Sequence, residues 1–248
     1  MDFTYAEYGR LLETIRSKGY SIDGYNSHYE SRRTVILRHD VDVSLEKAVD
    51  MAKFEGQWGA KATYFILISS DFYNVFSRHS LECIEKIMEY GHEIGLHFDE
   101  KKYFNAETWD AKEIIKKIIW EKNLLEEMTG IKVNAVSMHT PSAKTLEADL
   151  QIPGLINSYS QKFFKEFRYI SDSFHRWRDN VWAVVEDEKT EKLHILTHAF
   201  WYNEESLTRN EEICKYIENG TKYRYKLIED NILPPDMKLV DCFSEKES

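Results

Sequence analysis

Cysteine is scarce in this 248-residue chain: only Cys83, Cys214 and Cys242 occur. An odd number of widely spaced thiols fits neither a disulfide framework nor a zinc ribbon, so a reducing cytoplasm is the expected setting. Proline is scarcer than chain length would suggest, with four residues, Pro141, Pro153, Pro234 and Pro235. There is no fixed-period repeat and no low-complexity tract, so nothing marks a linker and residues 1–248 are expected to form one domain. No window approaches the ~18 apolar residues of a membrane span. The opening MDFTYAEYGRLLETIRSKGY lacks a basic stretch leading into an apolar one, and no signal peptide is expected. Basic charge is short: 33 Lys and Arg stand against 43 Asp and Glu, a net charge of −10. That balance disfavours nucleic acid and anionic membrane as partners. No G-x-G-x-x-G follows the first strand pattern and no G-x-x-x-x-G-K-[ST] occurs, so a nucleotide-binding fold lacks its phosphate loop.

What is present suffices for a sizeable core, since 42% of residues are hydrophobic and wholesale disorder is thereby excluded. Aromatics reach 14%, which serves a core and also suits a site that stacks flat rings, including sugars.

The hydrophobic pattern alternates between strand and helix. Residues 2–18 have the period of an amphipathic helix ending near Gly19. TVILR (34–38) reads as a buried strand, and Ser44 opens a helix that Gly56 and Gly59 stop. ATYFILI (62–68) is a second strand, and Ser80 is the expected N-cap of a helix ending at Gly91. Residues 93–97 form a third strand. A long helix ends at Gly130, and 133–138 is a fourth strand. FRYISDS (167–173), VWAVV (181–185) and HILTH (194–198) are later strand candidates, and 211–227 is a last helix. About seven strands alternating with helices argue for an α/β fold with a mostly parallel sheet. A distorted (β/α)7-type barrel in a single domain fits best, and an open doubly wound sheet is the alternative.

Several residues able to do chemistry fall at the C-terminal ends of these strands, the active-site face of a β/α barrel. The first strand runs into Arg38-His39-Asp40-Val41-Asp42. Residues two apart in a strand share a face, so Asp40 and Asp42 project together. Two adjacent carboxylates repel unless a proton or cation intervenes, which suits one as metal ligand and the other as proton carrier. The bland alternative has Asp42 capping the next helix and Asp40 paired with Arg38. His97 ends the third strand. His92 lies on the opposite parity, where a structural bond to a loop carbonyl is the better reading. Asp99 shares the parity of His97. His139 follows the fourth strand, Asp172 ends another, and His198 ends the last. One strand-end histidine is usually structural. Six such groups meeting at one rim point to a mononuclear metal site with a flanking acid and base.

These motifs resemble the polysaccharide deacetylase (NodB-homology, carbohydrate esterase family 4) superfamily over roughly residues 34–202, in the branch whose first motif reads R-H-D-V-D. Ile36 to Asp42 resembles the first motif, which implies Asp40 as general base and Asp42 as metal carboxylate. Glu55, Gly59 and Ala62-Thr63-Tyr64-Phe65 match the stretch that follows. Gly91 to His97 resembles the second motif, whose final histidine is a metal ligand. Leu196-Thr197-His198 resembles the fifth, implying His198 as general acid and Leu196 as a wall of the acetyl pocket. Asp172 with Trp177 resembles the fourth, in which an acidic residue orients the catalytic histidine. Two departures stand out. Lys101 occupies the position of a second histidine, and no arginine lies near Ser137–Pro141 where the third motif carries one. His139 is the expected replacement ligand, with Asp99 or His92 in reserve.

The resemblance implies a metal-dependent deacetylase, with a divalent ion (Zn²⁺ the expected one) held by Asp42, His97 and His139. The expected substrate is an N-acetylated sugar or glycoconjugate intermediate, nucleotide- or lipid-linked if the enzyme is cytoplasmic. Arg38, Leu196, Trp177 and Trp201 are expected to contact it, with Trp177, Trp201 and Tyr202 forming an apolar wall. The alternatives are a C–N hydrolase of a small non-sugar amide and a degenerate, non-catalytic saccharide-binding domain.

Overall fold

The computed structural model describes residues 1–26, 33–187 and 189–237. One sheet contains β1 (Ser21–Asp23), β2 (Thr34–Val41), β3 (Thr63–Leu67), β4 (Glu93–Phe98), β5 (Ala135–Met138), β6 (Ile156–Asn157), β7 (Arg168–Ser171) and β8 (Lys192–Thr197). Seven strands follow the order β6-β5-β4-β3-β2-β8-β7, every neighbouring pair is parallel, and β1 pairs with the start of β2. This curled, open arrangement is the expected distorted (β/α)7 barrel. The chain divides into two compact units, Met1–Glu204 and from Glu205 on. The first holds the whole sheet with α1 (Tyr5–Ser17), α2 (Leu45–Gln57), α3 (Arg78–Glu89), α4 (Ala111–Thr129), α5 (Ala143–Glu147), α6 (Gln161–Glu166) and α7 (Val181–Glu186). Over its described residues the second contains α8 (Arg209–Ile232), opened by a reciprocal cap between Thr208 and Glu211. Among the described residues, no helix is long and apolar enough to cross a membrane.

Every residue of β2 is buried, the mark of a parallel strand covered on both faces. Its two faces serve different layers. Leu37 and Val41 join the main core under the helices. Ile36 joins Tyr25, Phe65, Ala135, Phe163 and Phe167 in a second cluster inside the curl of the sheet. That inner cluster floors the barrel, and above it β2 presents Arg38, Asp40 and then Asp42.

Helix starts follow side-chain caps. Thr4 accepts from the Glu7 amide, Ser44 from Lys47, and Asp110 from Lys112 and Glu113. The cap of α3 is Ser77, whose hydroxyl accepts from the Ser80 amide, so Ser80 lies inside the first turn rather than before it. VWAVV is a helix and not a strand. Asn180 caps it through the Ala183 amide, and Val181 and Val185, four apart, share its buried side. The β-branched residues suited a strand, but tertiary packing overrode propensity.

Gly95 marks a close approach within the inner layer. A β-carbon there would lie 2.5 Å from Phe65 Cδ1 and Cε1 and 3.2 Å from the Ala135 carbonyl oxygen. Gly95→Ala is therefore expected to lower stability by about 1–3 kcal/mol, read as a drop in Tm. An unchanged Tm would show that the Phe65 ring is not held against this strand.

Candidate active site at the strand ends

β4, β3, β2 and β8 are consecutive neighbours in the sheet. The order of the strands thus gathers Asp42, His97 and His198, which lie far apart in the chain. His97 is buried at the end of β4. Its Nδ1 lies 3.2 Å from the Ser137 carbonyl oxygen, which can only accept, so Nδ1 carries a proton. Nε2 is thereby turned toward Asp42, 3.1 Å from Oδ1, and toward Asp40, 3.8 Å from Oδ2. A neutral imidazole would place a lone pair against a carboxylate, so the pair requires a cation between or upon them.

Asp42 does not cap the following helix, because Ser44 does. Burial raises the Asp42 pKa, but the hydrogen bond and charge of His97, then the charges of His198 and His139, hold it well below the usual carboxylate range. His198 Nε2 faces Asp42 Oδ2 at 3.9 Å. On its other side, His198 Nδ1–H donates to Asp172 Oδ1 at 2.7 Å. The Asp172 carboxylate is fully buried and also accepts from the His198 amide at 3.1 Å and from the Tyr202 hydroxyl at 3.2 Å. Burial pushes the His198 pKa down. The hydrogen bond and charge of Asp172, with the charges of Asp42 and Asp40, carry it up to about 9.

Asp40 sits beneath this group. Its Oδ2 accepts from Arg38 Nη2 at 3.0 Å and from the Ser137 hydroxyl at 3.3 Å, while its buried Oδ1 has no hydrogen-bond partner. Arg38 is only 1% exposed. Its other contacts are Ser158 Oγ at 2.7 Å, the Tyr159 hydroxyl at 3.3 Å, and the rings of Tyr159 and Phe65. The arginine expected to meet substrate thus lies under the rim and holds Asp40. The Arg38–Asp40 pairing and the position of Asp40 beside His97 occur together.

His139 stands edge-on to His97, with ring centroids 5.3 Å apart, and its Nδ1 lies 3.7 Å from Asp99 Oδ2. The Asp99 side chain is itself used as a cap, accepting from the Lys101 amide at 3.0 Å. His92 is elsewhere: its Nε2 meets the Ala52 carbonyl at 2.9 Å and its Nδ1 lies 3.7 Å from Glu55. That is the structural carbonyl bond expected from its parity, and it removes His92 from the reserve of metal ligands. Leu196 is buried in β8 opposite Arg38. Trp177 and Trp201 are half-buried against the main core, Trp201 lying 5.0 Å from the His175 ring. Tyr202 is fully buried, so it is a partner of Asp172 and no wall for a ligand.

The donor set can be tested against a metal. Two ligands of a tetrahedral zinc at about 2.0–2.1 Å stand about 3.3 Å from each other. The 3.1 Å between Asp42 Oδ1 and His97 Nε2 is close to that edge. Asp42 Oδ1 and His139 Nδ1 are both buried, and beyond their contacts with His97 and Asp99 neither makes a further hydrogen bond. Among the described residues, no group of three or more His, Cys, Asp or Glu side chains closes to ligating spacing. Asp42 and His97 therefore fit a divalent ion as a pair, with His139 the neighbouring imidazole.

No protein-family model matches the chain, and no curated protein matches it. Solved structures that it resembles are carbohydrate esterase family 4 proteins. The Streptococcus pyogenes deacetylase PplD in complex with acetate is 14% identical, with 56% of this chain and 65% of that chain covered and a TM-score of 0.43. A family 4 pseudoenzyme from Bacillus anthracis is 16% identical, with 80% and 65% covered and a TM-score of 0.44. The chitin deacetylase of the fungal pathogen Colletotrichum lindemuthianum is 12% identical, with 75% and 81% covered and a TM-score of 0.45. The chain thus spans about two thirds of the length of the first two.

In metal-free protein, the His198 imidazole is expected to titrate at about 9 by NMR. Asp172→Asn should return it toward the ordinary value. The folded-state pKa lies above the unfolded one, so the stabilisation is complete below about pH 6.5 and is lost as pH rises through the folded value. The stability gap between wild type and Asp172→Asn, from urea unfolding, should narrow across that window. A His198 pKa untouched by Asp172→Asn would remove Asp172 from this role.

Proposed function

We propose that the protein is a metal-dependent hydrolase that removes an acetyl or related acyl group from an N-acetylated sugar or glycoconjugate. The observation that carries this reading is the placement of Asp42 between two imidazoles, 3.1 Å from His97 and 3.9 Å from His198. One imidazole belongs to an ion-holding pair and the other to an acid dyad. The motif resemblance supplies the substrate class.

Asp42 and His97 would hold the divalent ion, with His139 the candidate third ligand. When bound, such an ion supplies Lewis acidity toward an acyl oxygen and makes water a better nucleophile near neutral pH. Asp40 takes the proton of the attacking water. Its carboxylate is aimed by Arg38 and the Ser137 hydroxyl, and its free Oδ1 is the acceptor. His198, whose pKa Asp172 raises above the ordinary imidazole value, would deliver its Nε2 proton to the departing amine. Asp172 fixes its ring by accepting from Nδ1–H, and the Tyr202 hydroxyl and His198 amide fix Asp172 in turn. Half-buried Trp177 and Trp201 would offer flat apolar surface to a sugar.

A second reading is a saccharide-binding domain without turnover, favoured by the absence of a closed three-ligand group among the described residues. Metal analysis separates the two. The hydrolase reading expects one equivalent of divalent ion, lost in Asp42→Ala and His97→Ala, and deacetylation of N-acetyl sugars. Asp40→Asn should keep the metal while turnover falls by about 10²–10⁴, the usual worth of a general base. His139→Ala should strip the metal, and full occupancy in that variant would move the third ligand to Asp99. No metal uptake under repletion would favour the binding domain.

A further inference from the structure

The far face of the same sheet carries a second polar cluster that the proposed chemistry does not use. Glu55, from α2, is fully buried. Its Oε1 accepts from the Tyr8 hydroxyl of α1 and from His39 Nε2–H at 2.8 Å. Its Oε2 accepts from the Tyr64 hydroxyl at 2.7 Å and lies 3.7 Å from His92 Nδ1. The other ring nitrogen of His39 meets Thr197 Oγ1 at 2.5 Å. His39, Tyr64 and Thr197 are themselves register partners, so the cluster is one row across β3, β2 and β8. All three are fully or almost fully buried.

That row lies one residue before the reactive groups. His39 precedes Asp40 in β2, and Thr197, the last residue of β8, precedes His198. Side chains alternate along a strand, so the row faces the helices while its successors face the barrel interior. A hydrogen bond on the back of the sheet, added to the backbone ladder that pairs β2 with β8, thus ties together the strand ends that carry Asp40 and Asp42 on one side and His198 on the other. Burial raises the Glu55 pKa, but the charge and hydrogen bond of His39, then His92 and Tyr8, hold it below its ordinary value. A carboxylate so placed orients the imidazole of His39 more firmly than a neutral acceptor would.

We propose that Glu55 is a positioning residue for the active site: through His39 and Thr197 it fixes the spacing of the β2 and β8 ends, and so the approach of His198 to Asp42. The proposal rests on the hydrolase reading only for its kinetic readout. A group displaced by about 1 Å from outside the reacting centre can cost on the order of 10² in rate.

The test uses the full chain with Glu55→Gln, which keeps shape and removes charge, and Thr197→Val, which removes one hydroxyl and spares Glu55. Crystal structures of both variants are expected to show the Asp42 Oδ2–His198 Nε2 separation, 3.9 Å in the wild type, changed by more than the tolerance of about 0.5 Å for a productive site. Below the melting transition, each should lower kcat on an N-acetyl sugar by about tenfold or more, with KM changed less than twofold. The double variant should lose no more than the worse single one, since both act through His39. A purely structural cluster would lower Tm and leave the separation and kcat alone, which overturns the proposal. Thr197→Val provides that result even if Glu55→Gln does not fold. If the wild type deacetylates nothing, the hydrolase reading falls while the crystallographic comparison still decides this one.

Discussion

Everything at the rim depends on which way the His97 ring faces. Its Nδ1 proton is committed to the Ser137 carbonyl, and that bond comes from β5 pairing beside β4. Nε2 is then left against Asp42 at 3.1 Å, a contact that needs a positive charge to be favourable. The same demand draws His198 toward the other oxygen of Asp42. A divalent ion would answer it, because a single charge centre can serve both Asp42 and His97. Such coupling makes metal affinity dependent on pH, since ligands must shed their protons to bind.

The sheet separates two jobs on its two faces. On the inner face, an apolar floor of Ile36, Phe65 and Phe163 lies below Arg38, Asp40 and Asp42. Arg38 is a buried cation, and it is tolerated because Asp40 lies 3.0 Å away and Ser158 and Tyr159 take further donors. On the outer face, Glu55 is a buried anion satisfied by His39 and two tyrosine hydroxyls. One strand, β2, carries partners of both pairs. Breaking either pair would strand a charge in the interior, which costs far more than the intact pair gains.

Much of this was legible from residue order. Strand parity alone put Asp40 with Asp42 and divided His97 from His92, because the period of a strand is fixed by its pleat. The long strands and the helix stops at Gly91 and Gly130 follow from patterns several residues in length. Shorter features escaped for want of signal: β1 and β6 have three and two residues, too few for any period to appear. VWAVV misled because its residues favour a strand while its cap and its packing make a helix. Arg38 looked like a group for substrate, and only the third dimension shows Asp40, Ser158 and Tyr159 around it. Tyr202 looked like an exposed wall for the same reason. The Glu55 cluster was out of reach, since it arises where α1 and α2 meet the sheet and no local pattern encodes that meeting.

The central claim is that Asp42 and His97 share a metal ion. Anomalous diffraction from crystals grown with the divalent ion present tests it most directly. One peak lying about 2.0–2.2 Å from an Asp42 oxygen and from His97 Nε2 is the outcome the account requires. No peak under saturating metal, with Asp42 and His97 still in direct contact, would contradict it and leave a proton as the only bridge between them.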